Sequence, residues 1–341
     1  MPDPHTKVTV SSYGGSKPGE LSFMQPGGKK LVVFDLESIS GDYRLYDSKI
    51  ESWDFDLPSL ISASYMFYNC SKLTSFYGEL PRLETGTYMF YNCSSLTSFS
   101  GDLSRLTHGT NMFYNCSNLT SFSEELTKLM HGDHMFCNCH NLTSWTVGLP
   151  ILTNGSSMFQ NCSGLTSFSS DLHNLENGSY MFYQCDGLTS WTVELPDLTD
   201  GSYMFFACGL TSWTVGLPSL TTGELMFQYC NLTSWTVDLP NLTNGKQMFY
   251  SCSSLTSFSG DLSSLTNGTN MFEFCSLDEA SVLSILNSIP THADGKTHQL
   301  HLGKNTNYKD SAEIAALLGT TTPIAAGTSY RYKNWTITIT T

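Results

Sequence analysis

Residues 89–99 read Met-Phe-Tyr-Asn-Cys-Ser-Ser-Leu-Thr-Ser-Phe, and the chain repeats this stretch along most of its 341 residues. The repeated Met residues are Met66, Met89, Met112, Met135, Met158, Met181, Met204, Met226, Met248 and Met271. The interval is constant except that the two steps on either side of Met226 are shorter by one, and each Met is followed four positions later by a Cys. Such a fixed period predicts a solenoid, in which each repeat stacks only on its neighbours.

Every repeat carries the same order of apolar residues. A Leu, from Leu73 to Leu255, is predicted to begin a strand, and an aromatic residue follows three positions later. Two further Leu positions and a Gly come next, and because the Gly usually follows Asn, Asp, Thr or His, we expect a sharp turn with positive φ there. The Met-Phe-x-x-Cys segment has room for one 3₁₀ or α-helical turn. Stacking then gives parallel strands with inward columns of Leu, Phe or Trp, Phe and Cys.

The regions that flank the repeats have different patterns, so the sequence predicts three units, 1–42, 43–275 and 276–341. Residues 1–42 predict a β-rich cap with strands at Lys7–Val10 and Lys30–Leu36, separated by Gly and Pro turns. A solenoid needs such a cap because its first coil otherwise exposes an unpaired edge. Residues 43–65 are interpreted as a degenerate first repeat. In it Tyr43, Arg44 and Asp47 replace Met, Phe and Cys.

The C-terminal unit predicts two larger helix–strand coils that close the core. Ser276-Leu-Asp-Glu279 has the pattern of a capping box for a helix through about Asn287. The remaining predictions are a strand at His298–Leu302, a second helix capped by Asp310 or Ser311 and ending at Gly319, and a final strand within Tyr330–Thr340.

Composition excludes several classes of partner. The formal charge is −14 with only 16 Lys and Arg residues, which argues against nucleic-acid binding and against docking on anionic lipid. No apolar run approaches the roughly 20 residues of a membrane span. The start, Met1-Pro-Asp-Pro-His, lacks the pattern of a signal peptide. The expectation is a processed or trimmed secreted protein, or a protein released by another route, such as a virion component.

The 11 cysteines predict a column of free thiols and not a disulfide framework. Ten occupy one repeat position, so they stack about 5 Å apart with parallel Cα–Cβ vectors, a geometry that does not suit a disulfide. Cys is also small and readily buried. Cys137 occupies a variable position and is predicted to be an exposed thiol.

An acidic residue precedes the second Leu in seven of nine repeats. We call this set the acidic row, and its members are Glu79, Asp102, Glu125, Asp171, Glu194, Asp238 and Asp261. At a spacing of about 5 Å, neighbouring carboxylates repel by roughly 0.8 kcal/mol in water. The row is therefore a candidate binding site for cations or a basic partner, although the simpler explanation is a solvated face that prevents edge-to-edge aggregation.

A second candidate site is a stripe of tyrosines beside the Met-Phe pair. Tyr68, Tyr91 and Tyr114 follow the Phe, as do Tyr183 and Tyr250, and further tyrosines precede the Met. Tyr is favoured at protein interfaces, whereas packing between neighbouring corners accounts for the pattern as well. The Thr-Ser pair of each predicted strand, such as Thr74-Ser75, is interpreted mainly as structural.

The segment from His131 to His140 is the densest group of soft ligands, with three His and two Cys. Zinc requires four converging groups, and a catalytic Cys requires an oriented base. Because Cys139 belongs to the buried column and the other side chains should point in different directions, we assign neither a metal nor a catalytic role here. No cofactor is expected.

Cys-x-x-Leu-x-x-Phe followed by Leu-Pro-x-Leu, Gly and Met-Phe-x-x-Cys resembles the BspA-like (Treponema pallidum type) leucine-rich repeats, and the resemblance covers residues 43–275. It implies an α/β fold, a leucine-rich-repeat solenoid with parallel strands and about ten 22–23-residue coils. It also implies a non-enzymatic protein, extracellular or on a bacterial cell surface, that adheres to a host or bacterial surface protein or glycan. A structural or receptor-binding component of a phage virion is the alternative.

Overall fold

The computed structural model describes residues 20–24, 30–35, 40–294 and 296–340. The first described element is an antiparallel pair, β1 (Glu20–Met24) and β2 (Lys30–Asp35). The strand predicted at Lys30–Leu36 therefore exists as β2, with Leu36 outside the described residues. The strand predicted at Lys7–Val10 also lies outside them.

From residue 40 the chain winds as a stacked series of coils, so the predicted leucine-rich-repeat solenoid is confirmed. A column of isolated parallel bridges joins each coil to the next, from Ser40↔Ser62 to Asn244↔Asn267. The last rung, Gly268↔Leu300, connects the repeats to the C-terminal cap.

A second column consists of strands of two or three residues that contain the buried aromatic residue. These are β3 (Ser52–Trp53), β4 (Ser75–Tyr77), β5 (Ser98–Ser100), β6 (Ser144–Trp145), β7 (Ser167–Phe168), β8 (Ser234–Trp235) and β9 (Ser257–Phe258). They pair in parallel with the aromatic residues in register. The predicted start at the Leu is wrong by two residues, because Leu73 donates its N–H to Cys70 of its own coil, at 2.9 Å.

The core consists of unbroken columns of Leu, Met, Phe and Cys, nearly all of them fully buried. The ring of Phe90 stacks on those of Phe67 and Phe113, with centroids 5.2 and 5.3 Å apart. The strand aromatic Phe99 meets Phe90 edge-on, at 5.5 Å and 74°. Stacked and edge-to-face contacts are both favoured by the ring quadrupole, so these two columns bind neighbouring coils together.

The Met-Phe-x-x-Cys corner is neither a 3₁₀ nor an α-helical turn, which corrects the prediction. In residues 65–70, alternate N–H groups bond to a carbonyl three residues back in the same coil and to a carbonyl of the next coil. Tyr65 and Asn69 have φ of 58° and 57°, and the equivalent residues of every later repeat are also positive. The backbone can thus form hydrogen bonds within its own turn and with the next coil at once. Two residues of each coil must adopt the left-handed conformation for this.

The repeated Gly does not have the positive φ that its Asn-Gly context predicts, since the positive-φ glycines among the described residues are Gly319 and Gly327. This position requires Gly because a larger residue has no space there. A Cβ at Gly109 would lie 2.8 Å from Sδ of Met135 in the next coil, and the same clash with a Met recurs along the column.

Two length changes leave the core in register. The shorter repeats lose one residue from the corner between Cys and Leu, and Trp213 still stacks between Trp191 and Trp235 at 6.3 Å on each side. The first coil is shortened in the same place. Leu45 donates to the carbonyl of Met66 as each repeat Phe does in its coil.

The predicted alignment of the first coil is therefore wrong by one residue. Arg44, Leu45 and Ser48 stand in the Met, Phe and Cys positions, and Tyr43 corresponds to Tyr65.

The C-terminal cap contains α1 (Glu279–Ser288), β10 (His298–Lys304), α2 (Ala312–Leu317), β11 (Ser329–Tyr332) and β12 (Trp335–Thr340). Both helices occur where predicted, but Asp278 and not Ser276 caps α1, by accepting the N–H of Ser281 at 2.8 Å. Ser311 caps α2.

The single predicted final strand is a hairpin of β11 and β12. Lys333 and Asn334 form its turn with φ of 50° and 65°, as a two-residue hairpin requires. Strand β12 also pairs in parallel with β10, and the buried ring of Trp335 donates its N–H to Pro290 at 2.9 Å. The cap therefore continues the solenoid and covers its last coil.

Candidate functional site

Two columns of stacked tyrosines run along the corner at the N-terminal end of the solenoid. We call them the tyrosine ladder. The first column is Tyr43, Tyr65 and Tyr88, and the second is Tyr46, Tyr68, Tyr91 and Tyr114. Within each column the ring centroids are 4.6–4.8 Å apart and the planes differ by 2–9°. The structure thus brings together all three tyrosines predicted as site residues.

The geometry of the corner produces this stacking. Residues that precede the Met and follow the Phe have the same backbone conformation in every coil, and the coils are bonded at the strand spacing of about 4.8 Å. Tyr43 and Tyr46 are 59% and 45% exposed, and the other members are half-buried. Because each ring face lies against the next ring, the ladder offers ring edges and phenol hydroxyls to solvent.

The hydroxyls of Tyr68 and Tyr91 stay protonated at neutral pH and can donate hydrogen bonds. Partial burial, and then the neighbouring phenols, raise the pKa of Tyr68 and Tyr91 above the ordinary tyrosine value. An ionised phenolate would be poorly solvated beside other phenols. The ladder is therefore a neutral surface that can give and accept hydrogen bonds.

The solenoid does not need the ladder for its own packing. Where the first column would continue, Asn111, His134 and Ser157 occur with the same positive φ. The buried Phe column passes through these coils unchanged, with Phe113 and Phe136 stacked at 5.2 Å. The tyrosines stack between neighbouring corners, as the packing interpretation predicts, but the core continues through coils that lack them.

A second aromatic group occurs further along the same corner. Tyr180 stacks on Tyr203 at 4.4 Å, and Tyr183 on Phe206 at 4.6 Å. Beyond them the rings turn perpendicular, at 88–90°, through Phe206, Tyr229, Tyr250 and Phe274. Tyr229 is 50% exposed, so this end presents ring faces that the ladder does not.

The acidic row lies where predicted, one residue before the second Leu of each coil, but its Asp members already have backbone partners. Asp102, Asp171 and Asp261 each accept the N–H two residues ahead, at 2.9–3.0 Å. Asp238 accepts the N–H of Asp261 in the next coil at 3.0 Å. Hydrogen bonds from the hydroxyl and amide of Ser104 hold the pKa of Asp102 below its usual value.

These contacts explain the Asp members without a ligand. The Glu members, Glu79, Glu125 and Glu194, are exposed. A role of the row in binding stays a prediction.

Threonine hydroxyls next to the short strands form hydrogen bonds between neighbouring coils. Thr97 donates its hydroxyl to the carbonyl of Thr74 at 3.0 Å, and Thr166 donates to Thr143 at 3.1 Å. The structural interpretation of the Thr-Ser pairs agrees with this ladder of hydroxyls.

All 11 cysteines are free and buried. Ten belong to the column, and each of these donates its thiol proton to a carbonyl of the preceding coil at 3.0–3.3 Å. Cys137 was predicted to be exposed, and this is wrong. Its side chain is only 3% exposed, and burial raises its pKa to about 12. It lies at the end of the tyrosine ladder, where Asn115 donates its N–H to the Cys137 carbonyl at 2.8 Å.

The segment His131–His140 does not converge on one point. His131 stacks on His108 at 4.9 Å, whereas the Nδ1 of His140 bonds to the carbonyl of Asn161 at 2.7 Å on another part of the coil. Across residues 40–294 and 296–340, no group of three or more His, Cys, Asp or Glu side chains is arranged to hold a metal ion.

A shallow depression of about 440 Å³ lies beside His140 and is lined by Asn161, Gln184 and Asp186. Ser163 and Ala207 complete its lining.

The coil spacing, the Leu, Met-Phe and Cys columns and the terminal cap together define a repeat type. A family profile described as "BspA type Leucine rich repeat region" matches residues 36–120, 83–200 and 176–300, in six copies. The chain belongs to this family. The resemblance noted from the motif is thereby confirmed.

Three solved structures are similar to this BspA-type chain. A leucine rich cell surface protein from Faecalibacterium prausnitzii A2-165 is 14% identical, with a TM-score of 0.42 over 85% of this chain and 89% of the other. A leucine-rich repeat protein from Bacteroides ovatus ATCC 8483 is 15% identical, with a TM-score of 0.39 over 85% and 95%. The T. pallidum leucine rich repeat protein gives 14% and 0.26 over 82% and 95%. A comparison with curated protein sequences finds no match.

The helices of the described residues in this BspA-type chain are too short and too polar to cross a membrane.

Sequence reasoning missed Tyr43 and Tyr46 as site residues. The signal was present, because Tyr43 and Tyr65 have the same separation as Tyr46 and Tyr68, one residue less than the usual period. An alignment of the first coil at the full period placed Tyr43 opposite Met66 and hid it.

Proposed function

We propose that this BspA-type repeat protein is a non-enzymatic recognition solenoid, displayed outside a bacterial cell, that adheres to a partner through its tyrosine ladder. The partner that the ladder suits best is a protein of a host or bacterial surface. The observation that carries the proposal is the ladder itself, which is half-exposed, rigid and unnecessary for the packing of the coils.

Stacking favours a protein partner over a glycan at this position. Sugars and prolines dock on the open face of an aromatic ring, but the faces within the ladder are covered by neighbouring rings at 4.6–4.8 Å. Ring edges and hydroxyls remain, and these contact peptide groups and side chains in protein interfaces, where Tyr is enriched. Because the rings are immobilised before binding, they lose little conformational entropy in a complex.

The location outside the cell is supported by family membership, since the BspA-like family that the motif resembles consists of surface and secreted proteins. The virion alternative stays a prediction of the sequence.

Binding to a panel of purified extracellular-matrix and mucosal proteins, with a glycan array in parallel, tests the proposal. We expect saturable binding to at least one protein. We also expect the double variant Tyr68→Ala, Tyr91→Ala to weaken it by about tenfold or more, as removal of interface tyrosines does.

The matched control is Tyr77→Ala, which removes a 53% exposed tyrosine from β4, the middle strand of a three-stranded sheet, and not from the corner. Tyr91→Phe retains the stacked ring and deletes only the hydroxyl, so it separates the contribution of the ring to binding from that of the hydroxyl. Binding by folded protein to nothing in the panel, or equal losses in Tyr77→Ala and the double variant, would contradict the role of the ladder.

A further inference from the structure

Three basic residues occupy one backbone position in three consecutive coils. Arg82, Arg105 and Lys128, which we call the basic row, are each the third residue of a turn between the second and third Leu of the coil. Each turn is closed by a backbone N–H to carbonyl bond of 2.9–3.1 Å. The coils are bonded just beyond it, where Thr107 donates its N–H to Glu84 at 3.0 Å. The three side chains therefore project in line, about 4.8 Å apart.

The basic row makes no hydrogen bond or close ion pair among the described residues, although the charge of Arg105 contributes to the lowered pKa of Asp102. All three side chains are exposed, and none forms an ion pair with another described residue. In two later coils an Asn at the same turn position has a structural role. Asn174 donates its amide to the carbonyl of Pro150 at 2.6 Å, and Asn241 donates to Pro218 at 2.7 Å.

The charge pattern makes this row unusual for the chain, which has 30 acidic and only 16 basic residues. Three like charges in line repel one another, and an anionic ligand that runs along the coils would remove this repulsion. The acidic row lies three residues before the basic row, and the N–H of Ser104 holds the Asp102 carboxylate in place at 2.9 Å. Because this carboxylate would repel an anionic ligand, a ligand on the basic row must be narrow enough to avoid it.

Imidazole and hydroxyl groups border the basic row on its other side. His108 and His131 lie three residues after Arg105 and Lys128, and their rings stack at 4.9 Å. The hydroxyl of Thr107 contacts Nδ1 of His108 at 2.8 Å. Three cations beside a column of imidazole and hydroxyl groups suit a chain that carries both anionic groups and hydroxyls.

We propose that the basic row, together with His108 and His131, binds an anionic polysaccharide whose sulfate or carboxylate groups pair with the three cations. A sugar chain is narrow enough to follow one row and supplies hydroxyls for the imidazoles. Duplex nucleic acid is a wide, densely charged rod that needs a broad basic surface, which the net charge of −14 does not provide.

Heparin serves as the probe for sulfated chains, hyaluronan for carboxylated chains, and single-stranded DNA and polyglutamate for other polyanions. Affinities are measured on the full chain at low and physiological salt, on the order of 50 and 150 mM, because contacts with a polyanion release counterions and weaken with salt. We expect heparin or hyaluronan to bind more tightly than DNA or polyglutamate. The triple variant Arg82→Ser, Arg105→Ser, Lys128→Ser should lose about tenfold or more in affinity at low salt.

The matched control is Lys49→Ser, Lys72→Ser, Lys309→Ser, which removes three exposed cations elsewhere and should retain binding. A second variant, Arg82→Lys, Arg105→Lys, Lys128→Arg, conserves charge and should also retain it, so that a folding defect of the Ser variant cannot imitate the result. The Tyr68→Ala, Tyr91→Ala variant should bind heparin normally, which separates this site from the tyrosine ladder. Absence of polysaccharide binding at low salt, equal losses in the two Ser triples, or tighter binding of DNA or polyglutamate would overturn the proposal.

Discussion

Cys116 donates its thiol proton to the carbonyl oxygen of Phe90, one coil earlier, at 3.2 Å. The same oxygen accepts the backbone N–H of Cys93 at 3.1 Å. Both lone pairs of a buried carbonyl are therefore satisfied, one from within its coil and one from the next coil. The arrangement recurs along the column, which explains why Cys suits this position: it is small and apolar, yet it carries one weak donor.

Alkaline pH should destabilise the solenoid through these thiols. Burial raises the pKa of Cys70 and Cys252 to about 12 and that of the remaining column members well above the ordinary value. In the unfolded chain the thiols ionise near pH 8.5, so above that pH the unfolded state binds fewer protons than the folded state. The free energy of unfolding then falls as pH rises, by about 1.4 kcal/mol per pH unit for each thiol.

Urea unfolding at pH 7.0, 8.0, 9.0 and 9.5 measures this effect while the tyrosines are still largely protonated. The midpoint should be level below about pH 8 and fall steeply above it. Cys116→Ala should reduce the slope by about one proton. A midpoint that stays constant to pH 9.5 would refute the linkage.

Replacement of a glycine in the repeated column should destabilise the fold because a Met of the next coil lies behind it. Gly109→Ala places a Cβ 2.8 Å from Sδ of Met135, and overpacking of this kind costs about 1–3 kcal/mol. Gly148→Ala is the matched control, because its nearest neighbour is Cδ of Pro150 at 3.9 Å. It should be neutral or stabilising by up to about 1 kcal/mol. Equal urea midpoints for the two variants would show that the clash is relieved at no cost.

Because of the backbone conformation at Asn92, replacement by Ala should destabilise the fold more than replacement by Gly. Its φ is 58°, its amide donates to Asn69 at 2.9 Å, and its oxygen accepts from Asn115 at 3.0 Å. Asn92→Ala loses the two hydrogen bonds and keeps a Cβ in the left-handed region without the polar side chain that lets Asn tolerate it, for a total of about 2–4 kcal/mol. Asn92→Gly loses only the hydrogen bonds and should be about 1–2 kcal/mol more stable than the Ala variant. If urea unfolding shows the Ala variant to be as stable as the Gly variant, the left-handed backbone carries no cost.

The sequence prediction and the structure assign the N-terminal cap of α1 to different residues. Asp278 accepts the N–H of Ser281 at 2.8 Å, so Asp278→Ala should lower the free energy of unfolding of the C-terminal cap by about 0.5–2 kcal/mol. Ser276→Ala is the control, since Ser276 was the predicted cap, and it should change stability by less than about 0.5 kcal/mol. Hydrogen exchange of the α1 amides reads the effect locally. The reverse order of the two variants would favour the capping box.

The repeats with Trp-Thr-Val and the repeats with Phe differ in contacts that the sequence alone does not reveal. Trp213 donates its indole N–H to the carbonyl of Val215 at 2.8 Å, and each Trp-Thr-Val repeat makes the same bond. In several Phe repeats a Gly stands at the Val position, and a Cβ on Gly101 would lie 2.7 Å from the carbonyl of Gly78. The two repeat types are distinguishable in the sequence, but the hydrogen bond and the close backbone contact are visible only in three dimensions.

The sequence by itself determined the solenoid, the period, the inward columns and the free thiols. It could do so because a ten-fold repeat of one pattern leaves a single way to bury every Leu, Phe and Cys. It also located most tyrosines of the ladder, from Tyr65 to Tyr114. Turn conformations, the alignment of the first coil and the burial of Cys137 lay beyond it.

Those features depend on contacts between coils, which tertiary structure alone decides. The repeated Gly exists to make room for a Met in the next coil and not for a turn of its own. Tyr43 joins the ladder because a shortened corner shifts it onto Tyr65 at 4.7 Å. The stacking also determines which part of each tyrosine is available: faces are covered by neighbours, and edges and hydroxyls are left for a partner.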